Sequence, residues 1–242
     1  MSRERALETA GRWTITPSEP EVRLRCLRFG LVLNAVVALA GLGIKFYETA
    51  TTADPDFATR PARVLNEFCY FTIQSNLLVV VTCLLVAAHQ GHLGRALAVA
   101  RLTALVCITI TGIVYYALLA SQNHYTGVAL VGDYLCHLVS PVLCIATFVL
   151  FGVRGSLSPA RPTSVLVYPV AWVAFTLVRG GATGFYPYDF IDASQNGYIS
   201  VFVTIAVIFA IAFALAALAR LIDKRRDVPP GRLQRPDSPH SS

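Results

Sequence analysis

The sequence predicts an all-α, polytopic membrane protein with six transmembrane helices and both termini in the cytoplasm. Hydrophobic residues make up 55% of the 242 residues and charged ones only 14%, whereas soluble domains carry about 25% charged residues. The apolar residues gather into six runs, each near the roughly 20 residues that a helix needs to cross the hydrocarbon core. A β-barrel would show short alternating segments instead. Most basic residues lie at the two ends and beside the connections between runs, so the net charge of +6 reads as topology and not as a nucleic-acid surface.

Residues 1–22 are polar and contain Pro17 and Pro20 but no apolar h-region, which predicts a disordered cytoplasmic tail and not a signal peptide. The membrane domain is expected over residues 23–222. Its first span, about 29–47, carries Asn34, Gly41, Lys45 and Glu48 at spacings that make one inward stripe. The segment from Thr49 to Glu67 reads as a loop because Asp54, Pro55, Asp56 and Pro61 interrupt it. The second span, about 68–88, opens on the polar group Thr72, Gln74, Ser75 and Asn76. His89, His92 and Arg95 mark a short connection to the third span, about 102–119. Residues 121–125 precede the fourth, about 131–152, and a basic loop with Arg154, Pro159, Arg161 and Pro162 leads to the fifth, about 165–178. Pro169 predicts a kink there. The segment Arg179 to Asp192 is too rich in glycine and aromatic residues for a plain linker, and the sixth span follows at about 199–218. Residues 223–242 predict a second disordered cytoplasmic tail.

Lysine and arginine number 16 on the side of the two tails and four on the other, Lys45, Arg60, Arg63 and Arg179. Cytoplasmic sides carry the excess, so both tails are expected inside. The opposite side gathers tyrosine and phenylalanine, as an interfacial belt does. Cys26, Cys69, Cys83, Cys107, Cys136 and Cys144 lie in or beside spans without CxxC pairs, which points to small buried hydrophobes. Cys69 and Cys136 fall near one membrane face, which leaves a pairing open. Arginine far outnumbers lysine, as in GC-rich bacterial genomes, so a bacterial cytoplasmic membrane is the expected location.

Thr72, Ser75 and Asn76 share a helix face, while Gln74 points elsewhere. Lipid satisfies none of these side chains, so they must turn toward protein or water. The fourth span begins on the same side, and its Asp133 and His137 at i and i+4 occupy one face with Ser140 and Pro141. A hydroxyl and an imidazole at one depth are the parts of an activated nucleophile, since a hydroxyl reacts only when a base takes its proton. Asp133 is the candidate to orient the ring. Gln74, Ser75 and Asn76 are candidate oxyanion donors. Lys45 and Arg179 are candidates to hold a lipid carboxylate, against the plainer role of snorkelling anchors. Threonine back-bonding and packing histidines are the bland alternatives for Thr72 and His137. Cys69, three residues before Thr72, reads as packing. No metal site is expected, since His89 and His92 lie on the far side from Thr72.

The run Tyr70 to Leu77, the segment Asp133 to Pro141 around His137, and Gly184 to Phe190 followed by Gly197 and Tyr198 resemble the bacterial branch of the androgen-induced, androgen-dependent-TFPI-regulating membrane family. The resemblance spans all six helices in the same order. It implies a threonine hydrolase acting on fatty acid esters of hydroxy fatty acids, with Thr72 and His137 in the positions of the essential threonine and histidine. It places Tyr186 within a matching substrate segment. Asp133 stands where the animal proteins have asparagine, and the residues after Thr72 also differ from that branch.

The expected function is therefore hydrolysis of membrane lipid esters through an acyl-threonine, without cofactor and without nucleic acid. A channel or carrier that handles protons or ions through Lys45, Glu48, Asp133 and His137, or a non-enzymatic scaffold, is the alternative.

Overall fold

The computed structural model describes residues 19–52, 57, 59–89, 93–153 and 155–225. Residues 1–18 of the predicted tail 1–22, residues 226–242 of the predicted tail 223–242, Asp54 to Asp56, His92 and Arg154 lie outside the described residues. The elements are α1 (Glu19–Thr51), α2 (Arg60–Glu67), α3 (Phe71–Ala88), α4 (Arg95–Val114) with a π-helical turn Tyr115–Leu119, α5 (Gly127–Tyr134), a π-helical turn Leu135–Val139, α6 (Ser140–Phe151), a 3-10 turn Pro162–Leu166, α7 (Val167–Thr183), a 3-10 turn Asp189–Ile191 and α8 (Ala193–Arg225). Among the described residues six helical rods, with α5 and α6 counted as one, are long and apolar enough to cross a membrane. The chain is a multi-pass helical membrane protein, with residues such as Phe29, Val178 and Ile199 facing outward as lipid-exposed positions do.

The helices outrun the predicted spans because hydropathy marks the membrane-embedded part while a helix continues until something stops it. α1 starts with Pro20 in its first turn, where a missing N–H is harmless, and its polar start is held by Arg23, which donates to Gly152 O at 2.9 Å. α4 begins at Arg95, which carries Arg101 out of the predicted loop and into the buried interior. α8 runs past the predicted tail boundary, and buried Asp223 accepts the Leu157 N–H at 3.1 Å. α7 continues to Thr183 and stops where Gly184 takes φ 75°, the usual left-handed helix end. Residues 68–70, predicted as helix, form a turn before α3.

Two further expectations change. The predicted loop 49–67 contains α2, capped by Thr59 Oγ1, which accepts the Ala62 N–H, with Pro61 in the first turn. A proline there starts a helix instead of breaking one. Pro169 likewise lies in the first turn of α7, directly after the 3-10 turn, and imposes no kink within it.

α1 packs on α3, α5 and α6; α3 packs on α4, which also meets α6 and α8. Leu31, Ala35, Ala38 and Leu42 of α1 interleave with Ile73, Val79, Val80 and Cys83 of α3. Asn34 and Gly41 of the predicted inward stripe are buried, and Lys45 and Glu48 are half-buried beside them. Small residues set the closest approaches, as is usual where lipid gives no hydrophobic drive between helices. A Cβ on Gly41 would lie 2.7 Å from Cys136 Sγ, and one on Gly132 2.6 Å from Ile44 Cγ2. A Cβ on Gly112 would lie 3.0 Å from His137 O and 3.3 Å from Pro141 Cγ.

The Gly112 contact makes a direct prediction. Gly112→Val forces α4 away from the Leu135–Val139 turn, and overpacking of this kind costs about 1–3 kcal/mol. Thermal unfolding in detergent should show a clear fall in midpoint, and the same substitution at Gly43, where a Cβ meets nothing within 4 Å, should not.

Candidate active site

Thr72 occupies the second position of α3, in the turn whose N–H groups have no partner inside the helix. The residue before the helix, Tyr70, supplies no side-chain cap. The Tyr188 phenol oxygen does so from 116 residues away, accepting the Thr72 N–H at 3.1 Å and lying 3.3 Å from Thr72 Oγ1. Burial pushes the Tyr188 phenol up to about 12, so it stays protonated near neutrality and has a hydrogen to give to Thr72 Oγ1.

His137 reaches the same hydroxyl from the other side, with Nε2 3.1 Å from Thr72 Oγ1. Its opposite nitrogen, Nδ1, lies 2.9 Å from Asp133 Oδ1 and 3.1 Å from Asp133 O. Nδ1 therefore carries the hydrogen and gives it to the Asp133 carbonyl, with Oδ1 beside it as a charge contact, and Nε2 presents its lone pair to Thr72. Asp133 Oδ2 accepts from Tyr115 at 2.7 Å, and the Tyr115 ring stacks on the imidazole with centroids 3.8 Å apart and planes 12° apart. Asp133 is 3% exposed and His137 8%, so this carboxylate and ring are shielded from water.

Local backbone chemistry explains why His137 is placed there. Pro141 has no N–H to give to a carbonyl of the preceding turn, whether His137 O in an α-helical register or Cys136 O in one slipped by a residue. The helix slips by one residue over Leu135–Val139, and Ser140 N–H bonds to Leu135 O instead of Cys136 O. The Cys136 carbonyl thus released accepts from Asn76 Nδ2 at 3.4 Å. Tyr115 opens the other π-helical turn, so both sides of the stacked ring pair arise from a one-residue slip. Such turns recur at functional sites.

The structure therefore brings Thr72, His137 and Asp133 into one chain of contacts. The other expected residues are placed differently. Ser75 Oγ lies within hydrogen-bond distance of Thr72 O and Thr111 Oγ1. Asn76 Nδ2 serves the Thr72 and Cys136 carbonyls. Gln74 spans Phe68 O and the Tyr168 hydroxyl. None of the three points a spare donor at Thr72 Oγ1. Lys45 lines the cavity above Thr72, 3.5 Å from Glu48 and over the Tyr125 ring at 4.6 Å. Arg179 instead bonds Asn66 at 2.8 Å and stacks on Phe185, away from that cavity. Tyr186 packs its ring on Gly180 of α7. All six cysteines are unpaired. Among the described residues no group of three His, Cys, Asp or Glu side chains is placed to hold a metal.

Nothing in the sequence marks Tyr188 or Tyr115 as a site residue. Tyr188 belongs to the Gly184–Phe190 segment, yet an irregular loop has no periodicity to tell which of its tyrosines turns inward. Tyr115 is one of a pair with Tyr116, and only the helix slip decides between them.

Two cavities meet at Thr72. One, about 320 Å³, is polar and holds Lys45, Glu67, Tyr70, Tyr125 and His137. The other, about 70 Å³, is a narrow apolar slot among α4, α7 and α8. Thr72, Tyr115, Leu119 and Tyr188 line both.

Fold and site together define a six-span membrane protein with a half-buried hydroxyl and a buried imidazole and carboxylate in series. Compared with known proteins, no family model, no curated protein and no solved structure matches the chain.

The loop carrying Tyr188 depends on Asp192. Its Oδ1 accepts from Ser194 N at 2.8 Å and Ser194 Oγ at 2.5 Å, and its Oδ2 from Gln195 Nε2 at 2.7 Å. These bonds, the Ser194 hydroxyl first, hold the Asp192 carboxyl below the usual range. A lowered folded-state value stabilises above the unfolded pKa of about 3.9 and is lost as pH falls through the folded one. Asp192→Ala should therefore lower stability by about 1 kcal/mol at pH 7, as loss of a helix cap does, and thermal unfolding should show the gap from wild type closing in acid.

Proposed function

We propose that this protein is an intramembrane ester hydrolase in which Thr72 is the nucleophile, His137 the general base and Asp133 the group that orients and charges the ring. The single observation that carries the reading is the 3.1 Å approach of Thr72 Oγ1 to His137 Nε2, with Asp133 Oδ1 2.9 Å behind the ring. The resemblance to the androgen-induced, androgen-dependent-TFPI-regulating family favours the same chemistry and suggests fatty acid esters of hydroxy fatty acids as substrates. By the distribution of basic residues the site opens toward the outer leaflet of a bacterial cytoplasmic membrane, with both termini inside.

In the reaction, Thr72 passes its proton to His137 Nε2 while Oγ1 adds to the ester carbonyl carbon. The imidazolium so formed is stabilised by the Asp133 carboxylate and by the Tyr115 ring face. The carbonyl oxygen takes up the electron pair as an oxyanion. Tyr188 O–H and the Thr72 N–H, freed as the phenol turns toward the substrate, are the donors within reach. They sit at the positive end of α3, which favours negative charge. Collapse expels the alcohol, which leaves with the proton from His137. Water, deprotonated by the same nitrogen, then cleaves the acyl-threonine and restores the hydroxyl. The residues required are all from this chain, and Lys45 in the polar cavity is placed to attract an anionic head group.

Labelling of the detergent-purified protein by a fluorophosphonate tests this reading. Wild type and Cys69→Ala should label, while Thr72→Ala and His137→Ala, eluting as monodisperse species, should not. Absence of labelling in well-folded wild type, together with proton or ion flux across reconstituted vesicles, would favour the carrier alternative. Asp133→Ala removes the group beside the ring, and by comparison with the serine triad kcat should fall on the order of 10³–10⁴-fold, measured on any ester that wild type turns over, while Asp133→Asn, the residue of the animal proteins, should cost less.

A further inference from the structure

We infer that the apolar slot beneath Thr72 is an acyl-chain site that measures the fatty acyl half of the ester, while the polar cavity takes the alcohol half. The inference rests on the hydrolase reading for its chemistry but on different residues for its support.

The slot and the polar cavity share only the residues around the nucleophile, Thr72, Tyr115, Leu119 and Tyr188. An ester held at Thr72 Oγ1 therefore has one arm in each. Apart from Thr72, Thr111 and three aromatic residues that carry a polar atom, the slot is walled by apolar side chains such as Phe71, Ile110, Ile205, Ile208 and Phe209. A saturated chain fits such a lining, and a charged or hydroxylated head group does not, because nothing deep in it would replace lost hydration. The polar cavity has the opposite character, with Lys45, Glu67, Gln122 and Asn123 on its walls.

The slot also has a floor. Val106 and Ala212 line it and at the same time belong to the packed cluster that continues below through Leu102, Leu105 and Ala216. α4 and α8 run in opposite directions, so Val106 and Ala212 lie at the end remote from Thr72. Val106 and Tyr115 are nine positions apart, which at the helical rise is about 13 Å, a depth of about ten methylenes; at about 70 Å³ the slot is narrow, so a chain fills that depth by spreading the side chains that wall it. Lipid is as apolar as the slot, so a longer chain gains nothing from entering. Selection comes from the floor, because a chain that exceeds it must bend or displace packed side chains. α7 is not among the helices that pack closely on α3, α4 or α8, which leaves a side of the slot formed by side chains alone, suited to entry of a chain from the bilayer.

The experiment is a chain-length series of p-nitrophenyl esters from butyrate to palmitate, run on full-length protein in detergent for wild type, Ala212→Leu and Val106→Ala, each checked for monodispersity. In wild type kcat/KM should fall beyond about ten carbons. Ala212→Leu, which raises the floor, should lower the decanoate-to-hexanoate ratio at least about tenfold, a loss of about 1.4 kcal/mol in relative transition-state binding. Val106→Ala should raise the tetradecanoate-to-decanoate ratio. Ester hydrolysis with the same length profile in all three proteins overturns the slot while leaving the hydrolase intact. In parallel, thermal shifts of Thr72→Ala with the free acids decanoate and tetradecanoate read the slot without catalysis. A preference for decanoate that Ala212→Leu abolishes supports the slot even where no ester is cleaved, an outcome that would remove the hydrolase reading alone. Equal shifts in both proteins overturn the slot.

Discussion

A backbone carbonyl left without a partner inside a membrane costs several kcal/mol, and Pro141 has no amide to give to the turn before it. The helix slips by one residue over Leu135–Val139, just ahead of that proline, and most of the geometry around Thr72 depends on the slip. The slip releases the Cys136 carbonyl to Asn76, turns His137 toward Thr72 and sets Asp133 behind the ring. Gly112 and Gly41, which have no side chain to hold the neighbouring helices off, let α4 and α1 close on the same turn. The polar group at the start of α3 is thereby shared between two tasks. Ser75 and Asn76 satisfy backbone and neighbouring helices, and Thr72 is left with its hydroxyl between an imidazole and a phenol.

The three groups around Thr72 Oγ1 come from distant parts of the chain, and each is fixed by a different device. His137 is fixed by the helix slip. Tyr188 is fixed by the 3-10 turn Asp189–Ile191 and by Asp192 at the head of α8, with Asn196 bonding Asp189 O at 2.6 Å. Thr72 is fixed by α3 itself, whose unpaired first N–H groups draw the Tyr188 oxygen in. Rigid placement of this kind is what a proton transfer over one hydrogen bond requires. The division of the surrounding space into a polar and an apolar cavity that share only Thr72, Tyr115, Leu119 and Tyr188 matches a substrate with two unlike halves.

Much of the architecture was legible in the residues. Six apolar runs near 20 residues long gave the six spans, and the i, i+4 spacing of Asp133 and His137 put both on one face. The inward turn of Thr72, Ser75 and Asn76 followed from lipid being unable to satisfy them. What was not legible has common physical causes. Hydropathy could not show that α1, α4 and α8 continue as polar helices beyond their apolar runs. Pro61 read as a breaker because the Thr59 cap that makes it a helix start depends on geometry. The work of Gln74, Ser75 and Asn76 depends on which neighbour each side chain meets, and periodicity gives a face but not a partner. Arg179 and Lys45 look alike in sequence, yet only Lys45 reaches the cavity above Thr72.

The most direct test of the central claim is to trap the covalent intermediate. Wild-type protein mixed with a turned-over ester and quenched in acid within milliseconds to seconds would be digested and its peptides weighed. The account predicts one added acyl group on the peptide containing Thr72, absent from Thr72→Ala and chased away by longer incubation. Continued turnover by Thr72→Ala, or turnover by wild type with the acyl group on Cys69 or on no residue at any time, would contradict it.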